Sequence, residues 1–276
     1  MGQFPEHPLE SKFKSLPTRV FTALGMAVVA LGAFFGGPIT FSIFCIALAG
    51  LLFFELGGLQ SPLFSKSKRA AFVLFGCAVL TGAVLHLLQG KPDYALQIML
   101  IIILISVFGI FLRFKIPMVV CGVGVYLAVH GYITTYLEDR LLFVLFVLLI
   151  VSTDVGGYFV GKLAGGPKIF PKISPNKTWS GTIGGWVLAV LILFVFVFLW
   201  TNQLPPVAII FLAVSISIFS QLGDLSISLL KRKAGVKDSS NLLPGHGGFL
   251  DRFDSFVGAG VLIFLLALIY DYSVLG

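Results

Sequence analysis

Charged residues are scarce in this sequence: Asp, Glu, Lys and Arg together make up 11% of its 276 residues. Hydrophobic residues make up 58%, against roughly 45–50% in a typical soluble domain. The mean hydropathy is accordingly high, at +1.03. So much apolar surface cannot be buried in one water-soluble core, which excludes a soluble globular protein.

Cysteine is scarce as well. Cys45, Cys77 and Cys121 each stand alone within an apolar run. Their spacing matches neither a metal site nor a disulfide framework. We therefore expect them to be packing residues.

Long apolar runs recur along the whole chain, each of the roughly 18–20 residues that a helix needs to cross a hydrocarbon core of about 30 Å. They predict an all-α polytopic integral membrane protein with about nine transmembrane helices. The predicted spans are residues 20–36, 39–58, 70–88, 95–112, 117–136, 141–161, 180–200, 205–229 and 256–271. After a tail over residues 1–19, a single membrane domain then occupies residues 20–276, with long connections at 162–179 and 230–255.

Lys and Arg lie almost entirely on one side of these spans. Of the 19 such residues, all except Lys91 and Arg140 fall in the tail or in connections on the same side. Cytoplasmic connections retain positive residues during insertion. We therefore expect the N-terminus in the cytoplasm and, after an odd number of crossings, the C-terminus outside.

Two carboxylates lie well inside predicted helices, more than one turn from either end, where an ionised group is costly without a cation, water or a polar partner. Asp154 precedes Lys162 by eight residues and Asp224 precedes Lys231 by seven, which places both roughly 10–12 Å from the cytoplasmic helix ends. Asp224 also belongs to a polar stripe whose members recur every three or four positions on one helix face: Ser217, Gln221, Asp224, Ser228 and Lys231. We expect both Asp residues to face one polar cavity, with the stripe turned away from lipid.

Other positions inside the spans have less specific interpretations. The small residues Gly157, Gly161, Gly181 and Gly185, four apart within helices six and seven, favour close helix packing over a ligand role. Glu55 lies near a cytoplasmic helix end. The sequence leaves open whether Glu55 reaches the membrane interface or serves a functional site.

The connection before the last predicted helix concentrates ionisable groups. Within 24 positions it contains Lys231, Arg232, Lys233, Lys237, Asp238, His246, Asp251, Arg252 and Asp254. Asp251 and Asp254, three positions apart, project from nearly one helix face and can hold a divalent cation through oxygen ligands. Helix capping is the alternative, because acidic residues favour helix N-termini, but a cap requires only one of them.

Glycine and lysine add phosphate-binding chemistry to both long connections. Residues 244–248 read Pro-Gly-His-Gly-Gly, and glycines without Cβ atoms let backbone N–H groups approach phosphate oxygens. In the other connection, residues 174–178 read Ser-Pro-Asn-Lys-Thr, where Thr178 is a predicted helix cap and Lys177 a predicted phosphate ligand. Together these groups favour a site for a polyanion and a metal.

These residues resemble the signature of phosphatidate cytidylyltransferases, also called CDP-diacylglycerol synthases. The similar segments are Lys231-Arg232, Lys237-Asp238, residues 244–248, residues 251–254 (Asp-Arg-Phe-Asp), residues 174–178, Asp154 and residues 221–224 (Gln-Leu-Gly-Asp). Together they cover about residues 150–256, and no position within them departs from the family pattern. Residues 1–149 match only in length and hydrophobicity.

The resemblance implies transfer of a cytidylyl group from CTP to phosphatidic acid in phospholipid biosynthesis, giving CDP-diacylglycerol and pyrophosphate, with Mg²⁺ as an essential metal. The candidate catalytic residues are Asp154, Lys177, Asp224, Asp251 and Asp254. Of these, Asp224, Asp251 and Asp254 are the candidate metal ligands, directly or through water. The candidate substrate-binding residues, undivided between CTP and the lipid phosphate, are Ser174, Lys231, Arg232, Lys237, Gly245, His246, Gly247, Gly248 and Arg252.

The partners expected from this interpretation are CTP, phosphatidic acid and bilayer lipid. We do not expect nucleic acid to be a partner. The resemblance also implies a homodimer, which small-residue helix faces permit. We expect an integral protein of a bacterial inner membrane whose active site faces the cytoplasm.

Two alternatives stay open at this point. A related CTP-dependent membrane enzyme that acts on a polyprenol or an ether lipid would share these residues, and the sequence does not reveal the acyl or prenyl pocket. An ion-coupled transporter would also carry intramembrane Asp residues. Transporters typically show polar positions near the midplane of several helices, or repeated halves with broken helices, and we see neither pattern here.

Overall fold

The computed structural model of the chain describes residues 8–59, 65–88, 94–108, 116–200 and 205–275. Within these ranges it contains nine α-helices and one two-stranded antiparallel sheet. In chain order they are α1 Pro8–Phe35, α2 Pro38–Gly58, α3 Lys66–Leu88, α4 Tyr94–Ser106, α5 Ile116–Glu138, α6 Arg140–Ala164, β1 Lys168–Phe170, β2 Ser174–Thr178, α7 Trp179–Trp200, α8 Pro206–Lys233 and α9 Leu250–Leu275.

Eight helices within the described ranges are long and apolar enough to cross a membrane. The remaining one, α4, has 13 described residues, and the end of the fourth predicted span, residues 109–112, lies outside the described ranges. The all-α polytopic membrane fold is therefore confirmed. The orientation of the two termini stays a prediction.

Several helices extend beyond the apolar runs that predicted them. Helix α1 begins at Pro8, inside the predicted tail, although its apolar span begins at Pro17. Helix α9 begins at Leu250, six residues before its predicted span at 256. Hydrophobicity marks the segment inside lipid, whereas a helix continues into the polar interface for as long as its backbone hydrogen bonds are satisfied.

Side-chain caps set where two of the helices begin. Asp139 Oδ1 accepts hydrogen bonds from Leu141 N at 2.7 Å and Leu142 N at 3.2 Å, at the start of α6. At the start of α7, Thr178 Oγ1 accepts from Gly181 N at 3.1 Å. Such bonds satisfy backbone donors that have no partner within the helix. The predicted cap at Thr178 is confirmed.

Two apolar cores lie on either side of α9. One is formed mainly by α2, α3 and α5 with the first half of α9, around fully buried Phe53 and Tyr126. The other lies among α6, α7, α8 and α9, around Leu149 and Ala213. Helix α9 therefore joins the N-terminal and C-terminal helices, and its first turns carry Asp251 and Asp254.

Helices α6 and α7 approach each other through glycine. A Cβ atom at Gly161 would lie 3.3 Å from Gly181 Cα, and one at Gly185 would lie 2.5 Å from Thr153 O. Only residues without a Cβ allow backbones to come this close. The packing role predicted for these small residues is confirmed.

Replacing Gly131 with Ala is expected to destabilise the protein. Gly131 lies in α5 against α9, where a Cβ would be 2.7 Å from Phe264 N and 3.0 Å from Gly260 O. Backbone atoms cannot move aside as the end of a flexible side chain can, so we expect a loss of about 1–3 kcal/mol. The measurement is the thermal midpoint in detergent.

The matched control is Gly82→Ala in α3, where a Cβ would meet no described atom within 4 Å. In that helix Ala is favoured over Gly by about 1 kcal/mol. A Gly131→Ala midpoint equal to or above that of Gly82→Ala would contradict the close α5–α9 packing.

Contacts bring together helix ends that the charge pattern places on one face. Thr22 Oγ1, near the start of the α1 span, donates to Pro244 O at 3.2 Å. Arg69 Nε, near the start of α3, donates to Phe54 O at 2.7 Å, near the end of α2. That this shared face is cytoplasmic stays a prediction. The basic residues of this argument that lie outside the described ranges are Lys91, Arg113 and Lys115.

Candidate active site

A hairpin between α6 and α7 carries Lys177. Strands β1 and β2 pair with Phe170 opposite Ser174, where the sequence predicted a loop. At the end of α8, Arg232 Nε donates to Ile173 O at 3.3 Å and so ties the hairpin to that helix. The hairpin therefore holds Lys177 beside α8.

Lys177 forms an ion pair with Asp224 of α8. The Lys177 Nζ to Asp224 Oδ2 distance is 2.5 Å, and the two side chains are 29% and 26% exposed. Ser228 Oγ, one turn along α8, donates to Asp224 Oδ1 at 3.1 Å. The pair is thus fixed in position while part of each group stays accessible.

Two further carboxylates lie beside this pair. The carboxyl group of Asp254 in α9 lies within hydrogen-bonding range of that of Asp224. Ser255 Oγ donates to Asp154 Oδ1 of α6 at 3.3 Å, and Asp154 interacts electrostatically with Asp224 and Lys177. We refer to Asp154, Asp224 and Asp254 as the carboxylate cluster. Three helices far apart in sequence therefore bring the predicted acids together.

The polar stripe of α8 faces neighbouring elements. Ser217 Oγ lies 2.8 Å from Thr153 Oγ1 of α6. Gln221 Oε1 accepts from Trp186 Nε1 of α7 at 3.2 Å. These bonds orient α8 so that Asp224, one turn further on, points into the site, as the sequence predicted.

A cavity of about 240 Å³ opens beside the carboxylate cluster. Its lining consists of Thr153, Asp154, Gly157, Tyr158, Asn176, Lys177, Thr178, Gly181, Thr182, Gln221 and Asp224. The lining combines carboxylate, ammonium, hydroxyl and amide groups, whereas a pocket for an apolar ligand is lined mainly by hydrophobic side chains. This composition suits a charged, phosphate-bearing group.

Asp251 faces the other way, toward the connection before α9. Its Oδ1 accepts from Lys231 Nζ at 2.6 Å, and the two side chains are 6% and 10% exposed. Its Oδ2 accepts from Ser239 N at 2.8 Å, Ser239 Oγ at 3.0 Å and Gly248 N at 3.0 Å. In this geometry Asp251 organises the connection, and its assignment as a metal ligand stays a prediction.

The glycine turn is closed by bonds within the connection. Gly245 and Gly247 have φ angles of 77° and 86°, which glycine adopts without strain. The N–H groups of His246 and Gly247 donate to Leu243 O at 2.9 and 3.1 Å. These two N–H groups already donate hydrogen bonds within the turn and are not directed at a ligand. A phosphate-binding role for the turn stays a prediction.

The predicted substrate-binding side chains fall into two groups. Arg252 is engaged within the connection, since its Nε donates to His246 O at 3.1 Å, and Arg232 is engaged with the hairpin. By contrast, Lys237 is exposed and Ser174 is half-buried. His246 Nδ1 is buried without a hydrogen-bond partner among the described residues, so the connection leaves one polar atom unsatisfied.

Sequence reasoning left the role of Glu55 open and did not single out Ser239 or Ser240. Glu55 is fully buried in α2 and accepts hydrogen bonds from both serines, with Ser239 Oγ at 2.8 Å and Ser240 Oγ at 2.6 Å. One signal was available, because Glu55 is the single acidic residue inside the first five predicted spans. Nothing local in the sequence links it to serines more than 180 positions away.

The carboxylate cluster fits a magnesium ion in one specific way. Within the part of the chain that the structure describes, no three His, Cys, Asp or Glu side chains converge closely enough to form a metal cage. Mg²⁺, however, is usually held by one or two carboxylates together with water and substrate phosphates. The adjacent carboxyl groups of Asp224 and Asp254 match that donor set, and a cation between them would offset their mutual repulsion.

Comparison with known proteins agrees with this chemistry. Residues 17–270 match the sequence model of the cytidylyltransferase family. A phosphatidate cytidylyltransferase of Brucella suis is 36% identical over 270 residues, which cover 93% of this chain and 94% of the relative. The enzymes of the same name from Bacillus subtilis and Haemophilus influenzae are 50% and 45% identical, over 44% and 41% of this chain and 45% and 40% of theirs.

Proposed function

Since this chain belongs to the cytidylyltransferase family, we propose that it is a phosphatidate cytidylyltransferase that uses CTP and phosphatidic acid. It is a nucleotidyltransferase of the membrane, and the Brucella relative that bears this name matches it over nearly the full length of both chains. The products are then CDP-diacylglycerol and pyrophosphate.

The observation that carries the proposal is the meeting of Lys177, Asp154 and Asp224 at one polar cavity, with Asp254 beside Asp224. Four elements (β2, α6, α8 and α9) supply these groups within a mainly apolar membrane protein. Such an arrangement is costly in a hydrocarbon environment unless it serves a polar ligand. A triphosphate supplies negative charge for Lys177 to bind, and a divalent cation supplies positive charge for the carboxylates to bind.

Mg²⁺ is proposed to bind between Asp224 and Asp254, whose adjacent carboxyl groups fit it. When bound, it would neutralise phosphate charge and orient the departing pyrophosphate. Asp251 is the third proposed ligand, and in that role it would exchange its contact with Lys231 Nζ for the metal. Asp154 would support the site from α6.

In the proposed reaction an oxygen of the lipid phosphate bonds to the α-phosphorus of CTP, and the bond to the β-phosphate oxygen breaks. The phosphate is already an anion near neutral pH, so no general base is required. Catalysis then consists of alignment and charge stabilisation. Lys177, which lines the cavity, is proposed to contact a phosphoryl oxygen, and the exposed Lys237 is proposed to attract the nucleotide.

The proposed location of the reaction is the cytoplasmic surface of the membrane. Phosphatidic acid would reach the cavity from the bilayer with its acyl chains among the helices, while CTP would arrive from the cytoplasm. We propose the bacterial inner membrane as the site and a homodimer as the assembly. The contacts described above use Gly161, Gly181 and Gly185 within one chain, so the dimer proposal rests on the family resemblance.

The test is turnover by the purified protein in detergent with radiolabelled CTP, Mg²⁺ and phosphatidic acid. We expect labelled CDP-diacylglycerol, pyrophosphate in equal amount, and no reaction when Mg²⁺ is chelated. Polyprenyl phosphate and an ether-linked phosphatidic acid serve as competing acceptors. Preference for either one would replace the proposed substrate, and ion flux through vesicles without CTP turnover would overturn the proposal.

A further inference from the structure

A carboxylate in the second helix binds the middle and the end of the connection before α9, which runs over residues 234–249. Glu55 is 0% exposed. Its Oε1 accepts from Ser240 Oγ at 2.6 Å and Phe249 N at 3.0 Å, and its Oε2 accepts from Ser239 Oγ at 2.8 Å and Leu250 N at 2.7 Å. Two serines in the middle of the connection and two backbone amides at its junction with α9 therefore share one carboxylate.

The bonds to the two amides act as a helix cap. Leu250 is the first residue of α9, and the first N–H groups of a helix have no partner within it. A cap is normally supplied by the residue just before the helix. Here it comes from α2, so the N-terminal half of the chain determines where α9 begins.

The space around the Glu55 carboxylate is tightly filled. A Cβ on Gly248 would lie 2.5 Å from one Glu55 carboxylate oxygen and 2.8 Å from the other. On the other side, the guanidinium of Arg69 is near enough to interact electrostatically with Glu55, and Arg69 Nε is bonded to Phe54 O. The carboxylate is thus enclosed by the connection that it binds.

From Glu55 a continuous set of hydrogen bonds leads to the Asp251–Lys231 pair. Ser239 Oγ lies 2.8 Å from Glu55 Oε2 and 3.0 Å from Asp251 Oδ2, so its one hydroxyl hydrogen is shared between the two carboxylates. The N–H of Ser239 donates to Asp251 Oδ2 at 2.8 Å. Asp251 in turn pairs with Lys231. The cap fixes the first turn of α9, and Asp254 lies one turn further along.

We infer that Glu55 is a positioning residue for the reaction: it holds the connection and the start of α9 so that Asp254 and the Asp251–Lys231 pair take their active positions. Glu55 itself does not touch the cavity-lining groups. The expected effect of Glu55 on turnover rests on the proposed function. Its expected effect on the position of the connection and of α9 rests on the hydrogen bonds alone.

Glu55→Gln tests the inference with little change in volume. An amide retains one acceptor oxygen but turns an NH₂ group toward a backbone N–H, so the middle of the connection is no longer held to the start of α9. We expect kcat to fall by about 10- to 100-fold, the range for a misplacement of about 1 Å. The assay temperature is kept below the thermal midpoint of each variant, so that loss of fold does not contribute.

Ser240→Ala is a milder variant that avoids Asp251. Ser240 Oγ donates to Glu55 and accepts from Leu242 N at 3.1 Å. The matched control is Ser226→Ala in α8, whose hydroxyl is exposed and bonds to Leu222 O of its own helix. We expect Ser240→Ala to lower kcat and Ser226→Ala to leave it unchanged.

The double variant Glu55→Gln with Ser240→Ala distinguishes positioning from general stabilisation. If Ser240 acts on turnover through Glu55, the double variant should be no slower than Glu55→Gln alone, because interacting groups are not additive. Multiplicative losses in kcat, or a folded Glu55→Gln protein with wild-type kcat, would overturn the inference.

Amide hydrogen exchange supplies a readout that does not depend on the reaction. We expect Glu55→Gln to increase exchange at Phe249 and Leu250 relative to Ser226→Ala, and unchanged protection there would overturn the inference. If the wild-type protein turns over no CTP on phosphatidic acid, the proposed function fails. The exchange measurement still decides whether Glu55 holds the connection.

Discussion

Replacing Lys177 with Met is expected to lower turnover by about 100- to 1,000-fold, the loss typical of removing one group that stabilises transition-state charge. Lys177 Nζ lies 2.5 Å from Asp224 Oδ2 and lines the cavity beside the carboxylate cluster. Without the ammonium group, an incoming phosphate faces several carboxylates with one less fixed positive charge. Met keeps most of the side-chain length, so the change removes charge and hydrogen bonding rather than volume.

The control for this variant is Lys172→Met. Lys172 is exposed in the turn between β1 and β2, so the change removes the same charge from the same hairpin without entering the cavity. Initial rates of CDP-diacylglycerol formation are measured for both variants at saturating CTP. A Lys177→Met enzyme as active as Lys172→Met would show that the cavity is not the reaction site.

Replacing Asp254 with Asn is expected to reduce turnover by roughly 1,000-fold, near the limit of detection. Asp254 lies against Asp224, and the pair is the proposed magnesium site. Asn has nearly the same shape as Asp and carries no charge, and burial beside Asp224 disfavours a charge at this position. In the absence of Mg²⁺ the thermal midpoint should therefore not fall. Residues selected for function commonly lower the stability of the folded protein.

Stabilisation by Mg²⁺ tests the role of Asp254 without an activity assay. A ligand that binds only the folded state raises its thermal midpoint, so Mg²⁺ should stabilise the wild-type protein and stabilise Asp254→Asn much less. Asp139→Asn is the matched control, because Asp139 caps α6 through its Oδ1, and an Asn oxygen can accept the same bonds. Wild-type turnover and an unchanged magnesium response in Asp254→Asn would refute the metal assignment.

Asp251→Asn provides a contrast with Asp254→Asn. Asp251 pairs with Lys231 in a largely buried site, and removing one partner leaves the other charge without compensation. We therefore expect Asp251→Asn to lose stability as well as activity. A loss of activity with an unchanged midpoint would instead favour direct metal binding by Asp251.

Much of the candidate site was predictable from local patterns. The stripe that contains Asp224 follows from helical periodicity, and Thr178 was identified as a cap by its position before an apolar run. The shared cavity of Asp154 and Asp224 also followed from their similar depth near helix ends on one face, whereas the grouping of Asp224 with Asp254 came with the family resemblance. Each of these predictions depends on residue spacing within one segment and on which side of the membrane a helix end lies.

The direction of the Asp251 side chain was not predictable in this way. Asp251 and Asp254 are three residues apart, which on a regular helix suggests a common face. At the first turn, however, unpaired N–H groups attract a carboxylate, and Gly248 N and Ser239 N bind Asp251 Oδ2. The two acids therefore diverge, one toward the connection and one toward Asp224.

The sequence by itself determined the membrane class, the approximate spans and the residue types of the site, because hydrophobic length, helical period and charge asymmetry act over short stretches of chain. Only the tertiary structure decided that Glu55 of α2 holds the connection before α9, and that Lys177 pairs with Asp224. Those contacts join groups separated by 47 to 195 positions. Their partners depend on how the helices pack, which no single segment encodes.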